Sequence, residues 1–218
     1  MAGPVVSVVG LKGGVGKTST AIALASWWGM HGSRVLVVDA DVNGSATRWF
    51  GRGRGELPFL CVPIQQAPMV IQKGNIDLVV TDTAGGSRDE AVAYAEGSNL
   101  VVCPAQPSAS SLEQLLDLVD LIRPTGTEFV ALLTLVDSRR RGDADRARKL
   151  LENQGIPVLE QQLTLLSCWP QAEAAGCIVA DARNDQGRPS ASAARGWDEI
   201  GAMADEVTLL VDRPPPKA

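Results

Sequence analysis

Between a short β-branched run and the first long helical segment, the chain reads Gly10-Leu11-Lys12-Gly13-Gly14-Val15-Gly16-Lys17-Thr18. No other stretch restricts the possible folds as tightly. Gly13, Gly14 and Gly16 let the backbone curl around an anion with successive N–H groups turned inward, and a helix opening near Lys17 adds the positive end of its dipole. Lys17 is placed to reach β- and γ-phosphates, and the Thr18 hydroxyl to ligate Mg²⁺. Gly13, Gly14, Val15, Gly16, Lys17, Thr18 and Ser19 are therefore the expected nucleotide-binding set. The strict pattern G-x-x-x-x-G-K-[ST] asks for glycine at position 11, where this chain has Leu11. A glycine-rich turn with an incidental lysine is the plain alternative. The order strand, loop, helix, with Lys and Thr placed together, argues against it.

The rest of the chain supplies a setting for such a loop. Residues 5–9, 34–38, 76–81, 100–103 and 129–136 are compact apolar runs, while 18–30, 87–96, 112–122, 144–153 and 197–210 carry a helical period. Continuous apolar strands alternating with helices predict an α/β fold, a doubly wound, mostly parallel sheet with helices on both faces. Residues 51–58 read as a loop. No linker or repeat divides the 218 residues, so one domain is expected over 1–212, followed by a proline-rich tail over 213–218. Four cysteines without C-x-x-C spacing point to free thiols in a cytoplasmic protein. A single histidine, His31, excludes multi-histidine metal sites and argues against His-dependent triads. No stretch approaches the ~20 apolar residues of a membrane span.

Phosphate hydrolysis on such a loop needs carboxylates at facing strand ends, to hold Mg²⁺ and to orient water. Two segments offer them. VVDADVNGSATRWF contains Asp39 and Asp41, and DLVVTDTAGG contains Asp82 behind a run of apolar and β-branched residues. Gly85 and Gly86 give the loop after Asp82 the freedom of a γ-phosphate sensor. For Asp39, a strand-end or helix-capping carboxylate is the alternative reading.

Lys12 is a second lysine inside the loop, more charge than one triphosphate and Mg²⁺ ordinarily require. With it, the segment resembles the K-G-G-x-G-K-[ST] signature of the ParA/MinD family of deviant-Walker ATPases. The resemblance spans nearly the whole chain and is most specific before residue 90; in size the chain looks like the short plasmid-type ParA proteins. It implies that Lys12 reaches across a nucleotide-sandwich dimer to the partner's phosphates. It further implies that Asp82 binds Mg²⁺ through a water, that Asp41 orients or activates the attacking water, and that Asp39 supports the metal shell. Catalytic roles then fall on Lys12, Lys17 and Asp41, and metal roles on Thr18, Asp39 and Asp82. Val42-Asn43 stands where the family has Pro-Gln. The segment VVCPAQPSASSLEQL resembles the family's P-x-x-P strand end, which implies Pro104 and Pro107 near the adenine of ATP. Thr134 occupies a place where larger relatives often carry a base-reading Asn, leaving base selectivity to backbone groups.

The net charge of −5 rules out a uniformly basic nucleic-acid coat, yet the charge is segregated. Residues 137–149 carry six basic and three acidic side chains, whereas 77–120 carry eight acids and one base. Arg139, Arg140, Arg141, Arg146, Arg148 and Lys149, extended by Arg183 and Arg188, form a candidate face for phosphate backbone. A solvated helix laced with local ion pairs is the alternative; the family resemblance, in which ATP-bound dimers bind DNA without sequence preference, favours DNA. Arg48, Arg52 and Arg54 form a second candidate patch. Of the adjacent Trp27 and Trp28, two half-buried packing residues are expected. Asp198, Glu199, Asp205 and Glu206 on the terminal helix argue against a MinD-like membrane anchor. The resemblance thus implies a partition or positioning ATPase, a nucleotide-dependent homodimer on nucleoid DNA, stimulated by a ParB-like centromere-binding protein or cargo adaptor. A dethiobiotin synthetase-like small-molecule ligase or kinase on the same fold, or a positioning ATPase for a non-DNA cargo, is the alternative. An iron–sulfur ATPase lacks a second convincingly placed cysteine.

Overall fold

The computed structural model describes residues 3–53 and 56–212. Arg54, the side chain of Arg141 and the proline-rich tail lie outside the described parts. Six strands form one parallel sheet: β1 (Val5–Val8), β2 (Val35–Ala40), β3 (Leu60–Pro63), β4 (Leu78–Thr83), β5 (Leu100–Ala105) and β6 (Glu128–Leu133). Their order is β3-β2-β4-β1-β5-β6, so β1 lies at the centre and the chain reverses its direction of travel there. Ligands of open parallel sheets bind outside the carboxyl ends of the strands at such a switch point.

The helices are α1 (Lys17–Met30), α2 (Ser45–Arg52), α3 (Ala67–Gln72), α4 (Arg88–Glu96), α5 (Ala109–Ile122), α6 (Arg141–Asn153), α7 (Cys168–Ala175) and α8 (Ala193–Val211). Strand alternation divides the core between the two faces. Val6, Val8, Leu100 and Val102 pack with α1, α2, α7 and α8, while Val101, Cys103, Leu133 and Val9 pack with α4, α5 and α6. Because both faces are covered, the strands read as unbroken apolar runs. The expected doubly wound sheet is therefore present.

Several boundaries differ from the sequence reading, each for a local reason. Helix α2 occupies the first part of the expected 51–58 loop, and it starts where Asp39 accepts the Thr47 backbone N–H at 2.7 Å. Strand β6 stops at Leu133 rather than Val136, since Leu135 takes a left-handed φ of 52°. Beside β6, Val158 forms an isolated parallel bridge with Ala131. Trp27 and Trp28 both turn toward α8. The Trp28 indole donates to Thr208 at 2.9 Å, and Trp27 packs on Trp197 with centroids 5.2 Å apart. Two of the acids counted against a membrane anchor on α8 hold backbone groups. Glu206 accepts from the N–H groups of Glu160 and Gln161, and Glu199 from Thr164. All four cysteines are free thiols. Among the described residues no helix is long and apolar enough to cross a membrane.

Candidate nucleotide-phosphate site

Three of the central strands deliver their chemistry to one end of the sheet. Strand β1 runs into the glycine loop, β2 ends in Asp39 and Ala40, and β4 ends in Asp82 and Thr83, with Asp39 directly beside Asp82 in the parallel register. A cleft of about 540 Å³ opens there. Gly13, Gly14, Gly16, Lys17, Thr18, Ser19 and Asp41 line it, together with Trp49, Gly85 and Leu135. Gly14 and Gly16 take φ of 74° and 87°, the left-handed turns that an inward-facing row of N–H groups requires. Val15 is buried beneath the loop, and Leu11, in place of the strict glycine, packs against the α5 side of the core.

Lys17 is buried, and its Nζ donates to the Lys12 carbonyl at 2.9 Å. Burial lowers its pKa from the ordinary lysine value, against the opposing pull of Asp82 and Asp41. Asp82 is fully buried, one oxygen accepting the Thr18 hydroxyl at 2.8 Å and the other, Oδ1, lacking any hydrogen-bond partner. Burial pushes its carboxyl up to about 7, with the Thr18 hydrogen bond opposing and Asp39 adding to the rise. A buried, unpartnered carboxylate oxygen beside a threonine hydroxyl and a lysine is suited to a hard divalent cation. Thr18 and Asp82 therefore fit Mg²⁺.

Asp39 is engaged differently. Its Oδ2 accepts both the Thr47 N–H at 2.7 Å and the Thr47 hydroxyl at 2.8 Å, and its Oδ1 accepts the Asp41 N–H at 3.1 Å. These three accepted bonds give Asp39 the strand-end and capping contacts of the alternative reading, directly beside Asp82 in the sheet register. Asp41 sits on the cleft wall with its Oδ1 bound to the Asn43 backbone N–H at 2.8 Å and to the Asn43 amide at 3.0 Å. Hydrogen bonding from Asn43 thus tethers a turn that lacks the family's proline.

The remaining expectations separate. Lys12 is not among the residues lining its own cleft, and its Nζ donates to the Ser110 hydroxyl at 2.8 Å. Pro107 borders a second hollow of about 550 Å³, which meets the first at Leu135. Pro104, expected near a base, is instead enclosed under Leu11 and Lys12, because β5 runs beneath the loop. The basic segment 139–149 is not one free face. Arg139 pairs with Asp137, Arg146 with Asp143, and Arg148 donates to the carbonyls of Leu159 and Glu160. Arg183 donates to the Gly187 carbonyl. Arg140, Lys149 and Arg188 are exposed with no side-chain partner among the described residues. In the second patch, Arg52 is held by the Glu173 carbonyl at 2.7 Å.

Sequence reading gave Gly85 a switch-loop role without its contact to the cradle, and it missed Gln106. A side chain at Gly85 would bring its Cβ to 3.1 Å from Lys17 Nζ and 3.2 Å from the Gly13 nitrogen, so this glycine keeps the cradle open. Gln106 donates to the Gly14 carbonyl at 2.9 Å. The glycine pair after Asp82 signalled the first; nothing in the pattern around Gln106 signalled the second.

A family model for the CobQ/CobB/MinD/ParA nucleotide binding domain matches residues 6–176, the span that builds this cleft. The chain belongs to that family. Within it, the maintenance of carboxysome distribution protein A of Gloeobacter kilaueensis is 34% identical over 190 residues, 84% of this chain and 87% of that protein. The chromosome-partitioning ATPase Soj of Thermus thermophilus is 34% identical over 140 residues, 58% of this chain and 56% of that protein. Among solved structures, the Aquifex aeolicus cell division protein MinD superposes with a TM-score of 0.73 at 15% identity, covering 99% of this chain and all of that one. MinD of Pyrococcus horikoshii complexed with Mg-ADP gives 0.70 at 16%, covering 98% of this chain and 100% of that one. The ParA/MinD resemblance of the glycine loop is thus shown for the domain as a whole, as a nucleotide-binding P-loop fold.

Proposed function

We propose that this protein is an ATP-dependent partition or positioning ATPase working as a nucleotide-bridged homodimer. The observation that carries it is the convergence of Lys17, Thr18, Asp82 and Asp41 on one cleft with an open glycine cradle. Lys17 and the loop N–H groups bind the triphosphate and stabilise its developing charge. Mg²⁺, when held by Thr18 and Asp82, supplies charge neutralisation on the phosphate oxygens. Asp41 orients the attacking water and accepts its proton as the bond to the γ-phosphorus forms and ADP leaves. The Lys12 ammonium turns from Ser110 toward a second subunit's phosphates. The 34% identity to a carboxysome distribution protein and to a chromosome-partitioning ATPase supports positioning as the biological outcome.

DNA is the proposed track, bound by the dimer without sequence preference, and a ParB-like protein or cargo adaptor the proposed stimulator. Arg140, Lys149 and Arg188 are the basic side chains best placed for it, doubled by dimerisation. A DNA-retention assay with ADP, ATP and a non-hydrolysable analogue at two salt concentrations tests the reading. ATP-dependent, salt-sensitive retention is expected; retention indifferent to nucleotide overturns it. Asp41→Ala is expected to trap an ATP-bound dimer, seen as a persistent dimer peak in size-exclusion chromatography. Hydrolysis by this variant at the wild-type rate would remove Asp41 from its role.

A further inference from the structure

A row of N–H groups can face a polyphosphate only if the intervening carbonyls face away, and those carbonyls then need donors of their own. Here two consecutive loop carbonyls receive side-chain donors from the ends of two different strands. Gln106, just past β5, donates to Gly14 O at 2.9 Å, and Thr134, just past β6, donates to Val15 O at 2.7 Å. Thr134 is 2% exposed and its methyl and hydroxyl lie against Gly16, where an added Cβ would stand 3.6 Å from the Thr134 Cβ. Its own N–H continues the sheet by donating to Ala105 O at 2.9 Å. The next residue, Leu135, holds a φ of 52°, a conformation costly for a branched side chain and kept only where its surroundings over-determine it. That turn lets the chain leave β6 with Thr134 aimed at the loop and Leu135 on the cleft wall.

We propose that Thr134 is a positioning residue for the phosphates and not a reader of the base: with Gln106, it holds the Gly14–Val15 backbone so that the loop amides stay aligned on a di- or triphosphate. The hydroxyl's one proton is committed to Val15, and with the residue 2% exposed and outside the cleft lining its oxygen is not presented to a base as an acceptor either. Its contribution is therefore the same for every nucleoside triphosphate and for the inorganic polyphosphate itself. This rests on the phosphate-site reading above and extends it to the residues that shape the loop.

The test compares wild type, Thr134→Val, Thr134→Ser and Gln106→Ala for binding of ATP, GTP and inorganic tripolyphosphate, each measured by competition against a fluorescent ADP. Thr134→Val leaves Val15 O buried without a donor, and the affinity for all three ligands is expected to fall by one common factor of about tenfold. Thr134→Ser restores the hydroxyl and most of the affinity. Gln106→Ala is expected to cost about threefold, since Gly14 is exposed and water replaces the lost amide. Should Thr134→Val not fold, Thr134→Ala, which also removes the hydroxyl, is measured in its place with the same outcomes. A loss confined to ATP would make Thr134 a base reader and overturn the proposal, as would unchanged affinities or a serine variant as weak as the valine one. Wild-type protein that bound none of the three ligands would instead bring down the phosphate site itself.

Discussion

Two clusters of cations stand at the carboxyl end of the sheet, and they have opposite characters. In the glycine loop, Lys17 is buried, its pKa is pulled down by that burial, and its neighbours are a carbonyl and two cleft carboxylates. In segment 139–149, the arginines are mostly exposed and several have found local partners. An ammonium kept in a low-dielectric cleft against its solvation preference is available for a ligand's charge, whereas a guanidinium already paired has little left to offer. Charge in a sequence therefore says less than the backbone that carries it. The loop's glycines prescribe a cradle, but a run of arginines prescribes only that something nearby will neutralise it.

The contrast is broken most directly at Lys17. Lys17→Ala removes the one buried cation of the cradle, and ADP binding is expected to weaken by at least about 100-fold, given several charge-assisted hydrogen bonds removed together. Isothermal titration measures it. A Lys17→Ala protein that still bound ADP within a few-fold of wild type would place the nucleotide elsewhere.

Asp82 sharpens the same comparison through pH. Its folded-state value is raised to about 7 from the ordinary 3.8, chiefly by burial, so the fold prefers the protonated acid. The contribution is fully present below the unfolded value and is lost as pH rises through the folded one, between about pH 4 and pH 7. Ligand-free wild type should lose thermal stability across that window, and Asp82→Asn, which is neutral throughout, should not. The advantage of the asparagine variant over wild type is then larger at about pH 8 than at about pH 5. Parallel melting curves at all pH values would mean that Asp82 is not held in this way.

The parts of this site that sequence pattern made legible are those specified by short-range rules. The loop, the helix after it and Asp82 inside a buried strand all follow from neighbours within a few positions, and each is where the pattern places it. What stayed hidden depends on contacts across the fold. Asp39 reads as a support for the metal shell or a capping carboxylate, and only the folded chain shows Thr47, eight positions on, as its hydrogen-bond partner. Thr134 looks like a substituted base reader until β6 ends beside Val15, 119 residues distant in sequence. Helix α2 itself is hard to foresee, since its start depends on that same distant carboxylate. Glu199 and Glu206 likewise read as a solvated stripe, because the strand-like segment they hold becomes their neighbour only in the folded chain.

The smallest effects decide what the arginine cluster is for. Arg148 donates to the carbonyls of Leu159 and Glu160 at 2.6 and 3.0 Å, tying α6 to the segment that borders β6. Arg148→Ala should cost about 1–2 kcal/mol of stability by the usual worth of such bonds, read from urea denaturation. On the DNA reading proposed above, its slope of DNA affinity against salt should stay at the wild-type value. Arg140 and Lys149 are exposed, with no comparable tie among the described residues. Their joint replacement by alanine should leave the denaturation midpoint within error and lower the salt slope by about 2 per subunit, one for each DNA phosphate that is no longer neutralised. The two variants therefore dissociate structure from binding within a single short segment. If Arg148→Ala changed the salt slope and the Arg140/Lys149 pair did not, DNA would be held by the paired arginines, and local neutralisation would not be what separates this cluster from the glycine loop.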